Sequence, residues 1–326
     1  MDFKAIAAPV ADDFTAVNRF ITHHLDSDVP LIREIGHYIV EGGGKRLRPL
    51  MCLLSARANG YQAERHIDIA AVIEFLHTAT LLHDDVVDES NMRRGRPTVN
   101  AVWGNAASVL VGDFLISRAF QLLVQVGHPI LLDILSLSTN VISEGEVLQL
   151  INCRDPDTTE ERYMRVIHHK TAKMFESAAQ TGAVLAAQDA EQTAWAKRVF
   201  GEYGRHMGIA FQLIDDVLDY TGDVESLGKN VGDDLAEGKP TLPLIYTMRE
   251  GSPSEAALIR DAIRTGGLEQ LDGIITTVQR CGGLEYTRER AREHTRAALD
   301  ALAEVPDSRY RQALEQLALE AAEREF

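Results

Sequence analysis

The chain has 326 residues, 45% of them apolar and 25% charged, and a formal charge of −16 at neutral pH. That is the composition of a soluble globular protein with enough apolar side chains for a sizeable core. The acidity excludes a nucleic-acid partner, because no basic stripe is present to meet a phosphate backbone.

Cys52, Cys153 and Cys281 are widely spaced and form neither a disulfide framework nor a zinc spacing, which fits a reducing, cytoplasmic compartment. The start, Met1 to Ile6, lacks the basic segment and apolar core of a signal peptide, and no uninterrupted apolar run reaches membrane-spanning length. Alanine, leucine, glutamate and arginine abound, apolar residues recur at helical spacing, and no alternating β-branched runs appear. Pro30, Pro49, Pro97, Pro129, Pro156, Pro253 and Pro306 fall where helices start or turn. With no linker or low-complexity tract, the pattern predicts one all-α domain over residues 1–326.

The first landmark is Gly42-Gly43-Gly44-Lys45-Arg46-Leu47-Arg48-Pro49, a permissive backbone followed by three cations at a helix start. By itself it suits a solvated turn as well as a phosphate site, and it lacks the Lys-Ser/Thr ending of a Walker loop. Helical spacing then runs from Ile67 to Asp88, with His77, Leu81, Asp84 and Asp88 on one stripe and Thr80 one turn before Asp84. His77 alone would read as a core histidine; it gains interest from lying two turns before the carboxylates. His83 is less well placed. Like-charged Asp84, Asp85 and Asp88 repel unless a cation lies among them. Arg93, Arg94 and Arg96 follow, with planar forks that match phosphate oxygens.

The apolar helix over residues 106–126 carries Asp113, which reads as a core aspartate paired to a neighbour. The next helix bears Glu144, Glu146 and Gln149 on its polar side. The helix from Glu160 to Ala187 carries His168, His169, Lys170, Thr171 and Lys173; taken singly, its lysines read as exposed cations. Then the Asp-Asp-x-x-Asp spacing returns as Asp215, Asp216 and Asp219, again among leucine, isoleucine and valine, with Gln212 on the acidic face. One acidic cluster is usually a solvated helix face. Two identical ones in apolar settings are not, since desolvated carboxylates without cations are severely destabilising. Downstream, Lys229 and Lys239 each follow a glycine in a loop, Asp233-Asp234 between them reads as solvated, and the rest as structural amphipathic helix.

Oxygen-only clusters of this kind suit Mg2+, which is held by one or two carboxylates together with substrate phosphates and water. Metal on a diphosphate stabilises charge developing on the leaving oxygens. No cysteine–histidine pair, serine triad or dinucleotide loop competes with that chemistry. The expected reaction is metal-assisted ionisation of an organic diphosphate inside an apolar, water-excluding cavity.

Gly43 to Pro49, both Asp-rich motifs, Arg93-Arg94-Gly95, and Gly228-Lys229 with Gly238-Lys239-Pro240 resemble, in order and spacing, the trans-isoprenyl diphosphate synthases, nearly end to end. The resemblance implies an all-α prenyl-synthase bundle around a deep central cavity, a homodimer, and several Mg2+ ions bridging the diphosphate. By position it gives Asp84, Asp85, Asp88, Asp215, Asp216, Asp219 and Lys170 catalytic roles, with metal on Asp84, Asp88 and Asp215. Lys45, Arg48, His77 and Arg94 would bind isopentenyl diphosphate. Arg93, Lys170, Thr171, Gln212, Lys229 and Lys239 would bind the allylic prenyl diphosphate. An allylic cation forms, the isopentenyl double bond attacks it, and a proton leaves to the released diphosphate. Some relatives close the site with a basic tail; this chain ends Arg324-Glu325-Phe326, which departs from that pattern.

A chain anchored at Asp84 extends back along its helix past Thr80, about 6 Å away, and Ala79. Both are small, so the passage is expected to be open and the product long. Leu76 and the Val109–Gln125 segment are candidates for its floor. Eight isoprene units, as in the ubiquinone side chain, come from the resemblance alone, with nine the neighbouring alternative. So greasy a product brings the protein to a membrane surface at release. A class I terpene cyclase would not need the second cation set, and a non-catalytic partner subunit would have lost an acidic cluster.

Overall fold

In a computed structural model of the protein, residues 3–221 and 232–323 are described. They form helices α1 (Phe3–Ala7), α2 (Ala11–His24), α3 (Pro30–Glu41), α4 (Leu47–Ala58), α5 (Arg65–Val87), α6 (Val99–Trp103), α7 (Asn105–Val126), α8 (Pro129–Asn152), α9 (Glu160–Ile167), α10 (Lys173–Val184) and α11 (Ala190–Thr221). After these come α12 (Asp233–Ala236), α13 (Leu242–Glu250), α14 (Pro253–Thr265), α15 (Leu271–Arg280), α16 (Gly283–Leu302) and α17 (Arg309–Glu323). The all-α expectation holds but for one small sheet among the described residues. Strands β1 (Met92–Arg93) and β2 (Arg96–Pro97) pair antiparallel.

Two compact units divide the chain. The first takes Met1–Thr139, Met174–Gly204 and Leu299–Leu317; the second takes Asn140–Lys173, Arg205–Ala298 and Ala318–Phe326. In the first, α5 is the axis and packs against α2, α4 and α7. Its apolar side chains are spread nearly all round, from Ile69 through Ile73 to Phe75 and Leu82, as a helix buried on most faces requires. The Asp13 carboxylate ties α2 down by accepting from Arg57 Nε and Nη2 at 2.8 Å each and from His66 Nε2 at 3.0 Å.

Helix α7 corrects one expectation. With 22 residues it is long and apolar enough, by length and composition, to cross a membrane, although Asp113 and Arg118 interrupt it. It buries Val111, Leu115 and Ala119 and leaves Leu110 and Val124 exposed. Asp113 is no core residue: its side chain is 61% exposed and pairs with His83 at 3.4 Å, because it lies on the face of α7 turned from the core.

The second unit has two apolar clusters. One gathers Tyr163, Ile167, Ile209, Leu213 and Leu218 under the second acidic motif. The other joins Tyr220 to Ile259, Ile263, Ile274 and Val278.

Within the first unit α10 and α11 approach closely at Gly204, where a Cβ would fall 2.5 Å from Phe175 O and 2.7 Å from Glu176 Cα. For Gly204→Ala, helix propensity favours alanine by up to about 1 kcal/mol. The overpacking against rigid backbone costs about 1–3 kcal/mol. Packing should win, so the variant is expected to unfold at lower urea concentration than the parent; an unchanged or raised midpoint would show that the helices are free to separate.

Candidate active site

The first half-site begins where α5 stops. Its end is a Schellman motif: Ser90 N donates to Asp85 O at 2.9 Å and Glu89 N to Val86 O at 3.3 Å, with Glu89 at φ 53°. Asn100 Nδ2 donates to the Asp85 and Ser90 carbonyls, at 3.1 and 3.0 Å, and locks the end in place. The aspartates thereby stay at a fixed terminus. Asp88 itself is the C-cap rather than an interior residue of the stripe.

The hairpin then aims the arginines. Arg93 pairs with Arg96 across a two-residue turn in which Arg94 and Gly95 have φ 53° and 72°, the positive values a type I′ turn demands. This sends Arg93 back to Asp85, donating from Nε at 2.8 Å and pairing through Nη2 at 2.7 Å. Burial pushes the Asp85 carboxyl up, against the pull of Arg93, and nearby Asp84 and Asp88 push the same way. The middle aspartate is 3% exposed, and Asp84 and Asp88 keep part of their surface in solvent.

Arg94 points the other way and donates to Gly43 O. The glycine run makes room for it: a Cβ on Gly44 would sit 2.5 Å from Arg94 Nη1. Arg48 donates to His77 Nε2 at 3.1 Å and lies over the Phe175 ring at 4.1 Å. Burial first, then the charges of Arg48, Arg94 and Arg93, hold the His77 pKa well below its usual value. His77 is therefore a neutral acceptor that orients Arg48. Lys45 is exposed in the loop before α4. Ala79 and Leu76 are buried, whereas Thr80 is half-buried and donates to His77 O at 2.8 Å. Of the chain-length candidates, Thr80 is the one with surface to offer.

The second half-site is organised by Asp216. It accepts from Tyr163 Oη and, at 2.9 Å, from Gln212 Nε2, whose own Oε1 accepts from Thr171 Oγ1 at 2.9 Å. Its pKa is pushed up to about 7, by burial first and then by the negative charges of Asp234 and Asp215, against the two hydrogen bonds. Asp215 is the more accessible; Asp219 is buried, with its carbonyl accepting from Gly232 N at 3.0 Å. Asp234 corrects the solvated-loop reading. It stands half-buried on α12, close enough to act on Asp216, and its carbonyl accepts from Lys239 N at 2.8 Å.

Lys170 and Thr171 lie in a π-helical turn, His168–Ala172, between α9 and α10. Such turns re-aim side chains and are frequent at functional sites. Gly145 allows α8 to meet that turn, since a Cβ there would fall 2.6 Å from Lys170 N. Lys170 is not an exposed cation: it is 18% exposed and donates to Glu146 Oε2 at 2.6 Å. Lys239 pairs with Glu237 in the same manner. Lys229 lies outside the described residues.

Sequence reasoning missed Tyr163, Glu146, Glu237 and Asp234. Glu146 sat on a polar helix face like any solvated glutamate, and nothing in the sequence around Tyr163 pointed to Asp216.

Among the described residues, no three histidine, cysteine or acidic side chains converge into a protein-only metal cage. The donor set nevertheless fits a hard cation that completes its coordination with phosphate and water. The donors are carboxylate oxygens only, and Asp216, its pKa raised by burial first and then by Asp234 and Asp215, stands among them.

An all-α scaffold with two Asp-rich helix segments, and diphosphate-sized cation sets beside each, defines a helical enzyme of diphosphate chemistry. A family model described as polyprenyl synthetase matches residues 29–277. The chain is 53% identical over 326 residues, the full length of both, to the octaprenyl diphosphate synthase of Escherichia coli (strain K12). It is 52% identical over 316 residues, 96% of each chain, to the all-trans-nonaprenyl-diphosphate synthase (geranyl-diphosphate specific) of Rhodobacter capsulatus. A crystal structure of a polyprenyl synthase from Caulobacter crescentus CB15, complexed with calcium and isoprenyl diphosphate, matches with a TM-score of 0.95 at 41% identity, covering 100% of this chain and 98% of that one. The chain belongs to the polyprenyl synthetase family and is a prenyltransferase that makes trans-polyprenyl diphosphates.

The His77 environment gives a pH test. A histidine whose folded pKa is lowered contributes stability that is present above about pH 6.5 and lost as the pH falls below it, where the unfolded chain takes up the proton. Between pH 7.5 and 5.5 the parent should lose more stability than His77→Gln, measured by urea unfolding. Parallel losses in the two proteins would show that His77 is not held neutral.

Proposed function

We propose that the chain elongates an allylic diphosphate such as farnesyl diphosphate by repeated head-to-tail condensation with isopentenyl diphosphate, ending at octaprenyl diphosphate for a ubiquinone-type side chain. The observation that supports it most is the division of labour in both motifs. The middle aspartates are held, Asp85 by Arg93 and Asp216 by Tyr163 and Gln212, and the flanking Asp84, Asp88 and Asp215 keep solvent-facing surface. Those three are the residues proposed to hold Mg2+, which when bound supplies charge stabilisation to the departing diphosphate.

The chain's own residues do the rest. Arg93, Lys170, Thr171, Gln212, Lys229 and Lys239 take the allylic diphosphate; Lys45, Arg48, His77 and Arg94 take isopentenyl diphosphate. Lys170 and Lys239 exchange Glu146 and Glu237 for phosphate oxygens, and the part-exposed glutamates give up their lysine partners to do so. His77, kept neutral, fixes the Arg48 fork for bidentate contact. Both compact units serve one catalytic domain, in the cytoplasm. The exposed apolar face of α7, with Leu110 and Val124, is the kind of surface a homodimer covers.

Product analysis tests the reaction. Farnesyl and isopentenyl diphosphates with Mg2+ should yield a C40 diphosphate by chromatography; a cyclised hydrocarbon without elongation would overturn the synthase reading. A C45 product would favour the nonaprenyl alternative that the Rhodobacter relative keeps in view. Asp84→Ala and Asp215→Ala should each lower kcat by about a hundredfold or more, since a lost transition-state charge partner costs on that order; near-parental rates would dismiss them as metal ligands.

Chain length has its own test. Thr80→Tyr is expected to shorten the product while condensation continues. An unchanged length distribution would place the growing chain elsewhere than beside Thr80.

A further inference from the structure

The hairpin after α5 carries three arginines, and the half-site uses two of them. Arg93 goes to Asp85 and Arg94 to Gly43 O. Arg96 has the same planar fork, but its guanidinium is engaged elsewhere. Its Cζ lies over the Tyr38 ring, 4.2 Å from the centroid, and its Nη2 is 3.8 Å from Glu41 Oε2. Tyr38 and Glu41 both stand in the last turn of α3, from which the glycine run departs.

That turn is tied to the hairpin by more than Arg96. Tyr38 Oη donates to Pro97 O at 2.6 Å, and the Tyr38 ring meets the Trp103 ring of α6 edge to face, with centroids 5.0 Å apart. The glycine run begins on the same residue, since Gly42 N donates to Tyr38 O at 3.0 Å. Beyond it, Gly43, Gly44 and Lys45 are exposed, Gly43 and Gly44 have φ 66° and 143°, and a Cβ built on Gly43 would meet nothing within 4 Å. Backbone so permissive and so little packed is costly to order and has few contacts of its own to offset that cost. The hairpin supplies the anchors, with Arg94 on the Gly43 carbonyl and Arg96 on the end of α3.

We propose that Arg96 is a positioning residue for isopentenyl diphosphate. Stacked on Tyr38, it clamps the hairpin to α3 and so sets the spacing between Arg94 and Lys45, without touching the substrate itself. A guanidinium laid on an aromatic face beside a carboxylate has its charge satisfied there. The role rests on the reading of Arg94 and Lys45 as donors to isopentenyl diphosphate. It also predicts which substrate feels the change. Arg93, on the allylic side, is secured to Asp85 through two nitrogens of its own and does not depend on α3.

The test is steady-state kinetics of the full chain with Mg2+, varying each diphosphate in turn. Arg96→Met, which keeps the stem and removes the fork, should raise the isopentenyl diphosphate KM roughly tenfold and leave kcat and the allylic KM within about twofold of parental. Arg96→Lys, which keeps a cation over the ring, should recover part of the loss. Tyr38→Leu, which removes the platform, should raise the same KM, and the double variant should be no worse than Tyr38→Leu alone, because both changes break one contact. Amide hydrogen exchange gives a readout without turnover: with no substrate present, residues Gly42–Arg46 should exchange faster in Arg96→Met than in the parent. That measurement decides between strut and substrate ligand even if Tyr38→Leu misfolds. The proposal is overturned if Arg96→Met leaves the isopentenyl KM or the exchange parental, or if both KM values rise together. It is equally overturned if Tyr38→Leu is parental while Arg96→Met is not, which would make Arg96 a direct ligand. Arg94→Ala separates the inference from the reading beneath it. A raised isopentenyl KM there, with parental values in Arg96→Met and Tyr38→Leu, sinks the inference alone; a parental KM in Arg94→Ala sinks the reading and the inference with it.

Discussion

Everything in this protein depends on keeping carboxylates on apolar helices without letting them repel one another apart. Each motif solves that by committing its middle aspartate to the protein; Asp84, Asp88 and Asp215 keep some surface in solvent, while Asp219 is buried. In the first, Arg93 meets Asp85 through two nitrogens at 2.7–2.8 Å. In the second, Tyr163 and Gln212 serve Asp216. The solutions differ in charge. An arginine neutralises its aspartate, whereas neutral donors only stabilise it, and burial first, then Asp234 and Asp215, raises Asp216 to about 7. Burial raises Asp85 as well, so both motifs keep a demand for positive charge.

That demand explains the local backbone. The type I′ turn at Arg94-Gly95 holds a non-glycine residue at φ 53°, and Arg46 and Glu89 are held at 46° and 53°. Left-handed backbone at bulky residues is unfavourable and persists where the surroundings over-determine it. Here all three flank the charged end of α5. Arg94 must turn away from Arg93 to reach Gly43, Glu89 must close the Schellman motif, and Arg46 must start α4 with its side chain toward Asn18 and Glu74. The π turn at Lys170 is the counterpart in the second unit, where one extra residue in the helical turn aims Lys170 at Glu146 and Thr171 at Gln212.

How much of this the sequence disclosed follows from what periodicity encodes. Helices, the duplicated acidic spacing and the glycine-cation loop are local patterns, and all are visible in the order of residues. Partners brought together by folding are not. Tyr163 is 53 positions from Asp216, and Glu146 is 24 from Lys170. The hairpin escaped because two-residue strands are too short to show alternation. Asp113 was misread because an aspartate in an apolar helix looks buried until the helix is known to keep one face outside. Asp234 was misread in the opposite sense, as its loop-like context hid its approach to Asp216.

The same logic separates residues that bind from residues that hold. Arg48 and Lys170 carry the charge a diphosphate needs, and each has a partner within the protein: His77 for one, Glu146 for the other. The partners are not equivalent. A neutral imidazole does not itself cancel the charge of Arg48, because burial and the surrounding guanidiniums keep His77 deprotonated. Glu146 cancels the charge of Lys170 until a diphosphate displaces it. Under the roles proposed for Arg48 and Lys170, the first unit offers a standing positive charge and the second a latent one, released by a ligand with more negative charge than one carboxylate. An isopentenyl diphosphate site built the first way binds without rearrangement. An allylic site built the second way discriminates against singly charged anions, because only a multiply charged head repays the loss of the Lys170–Glu146 pair.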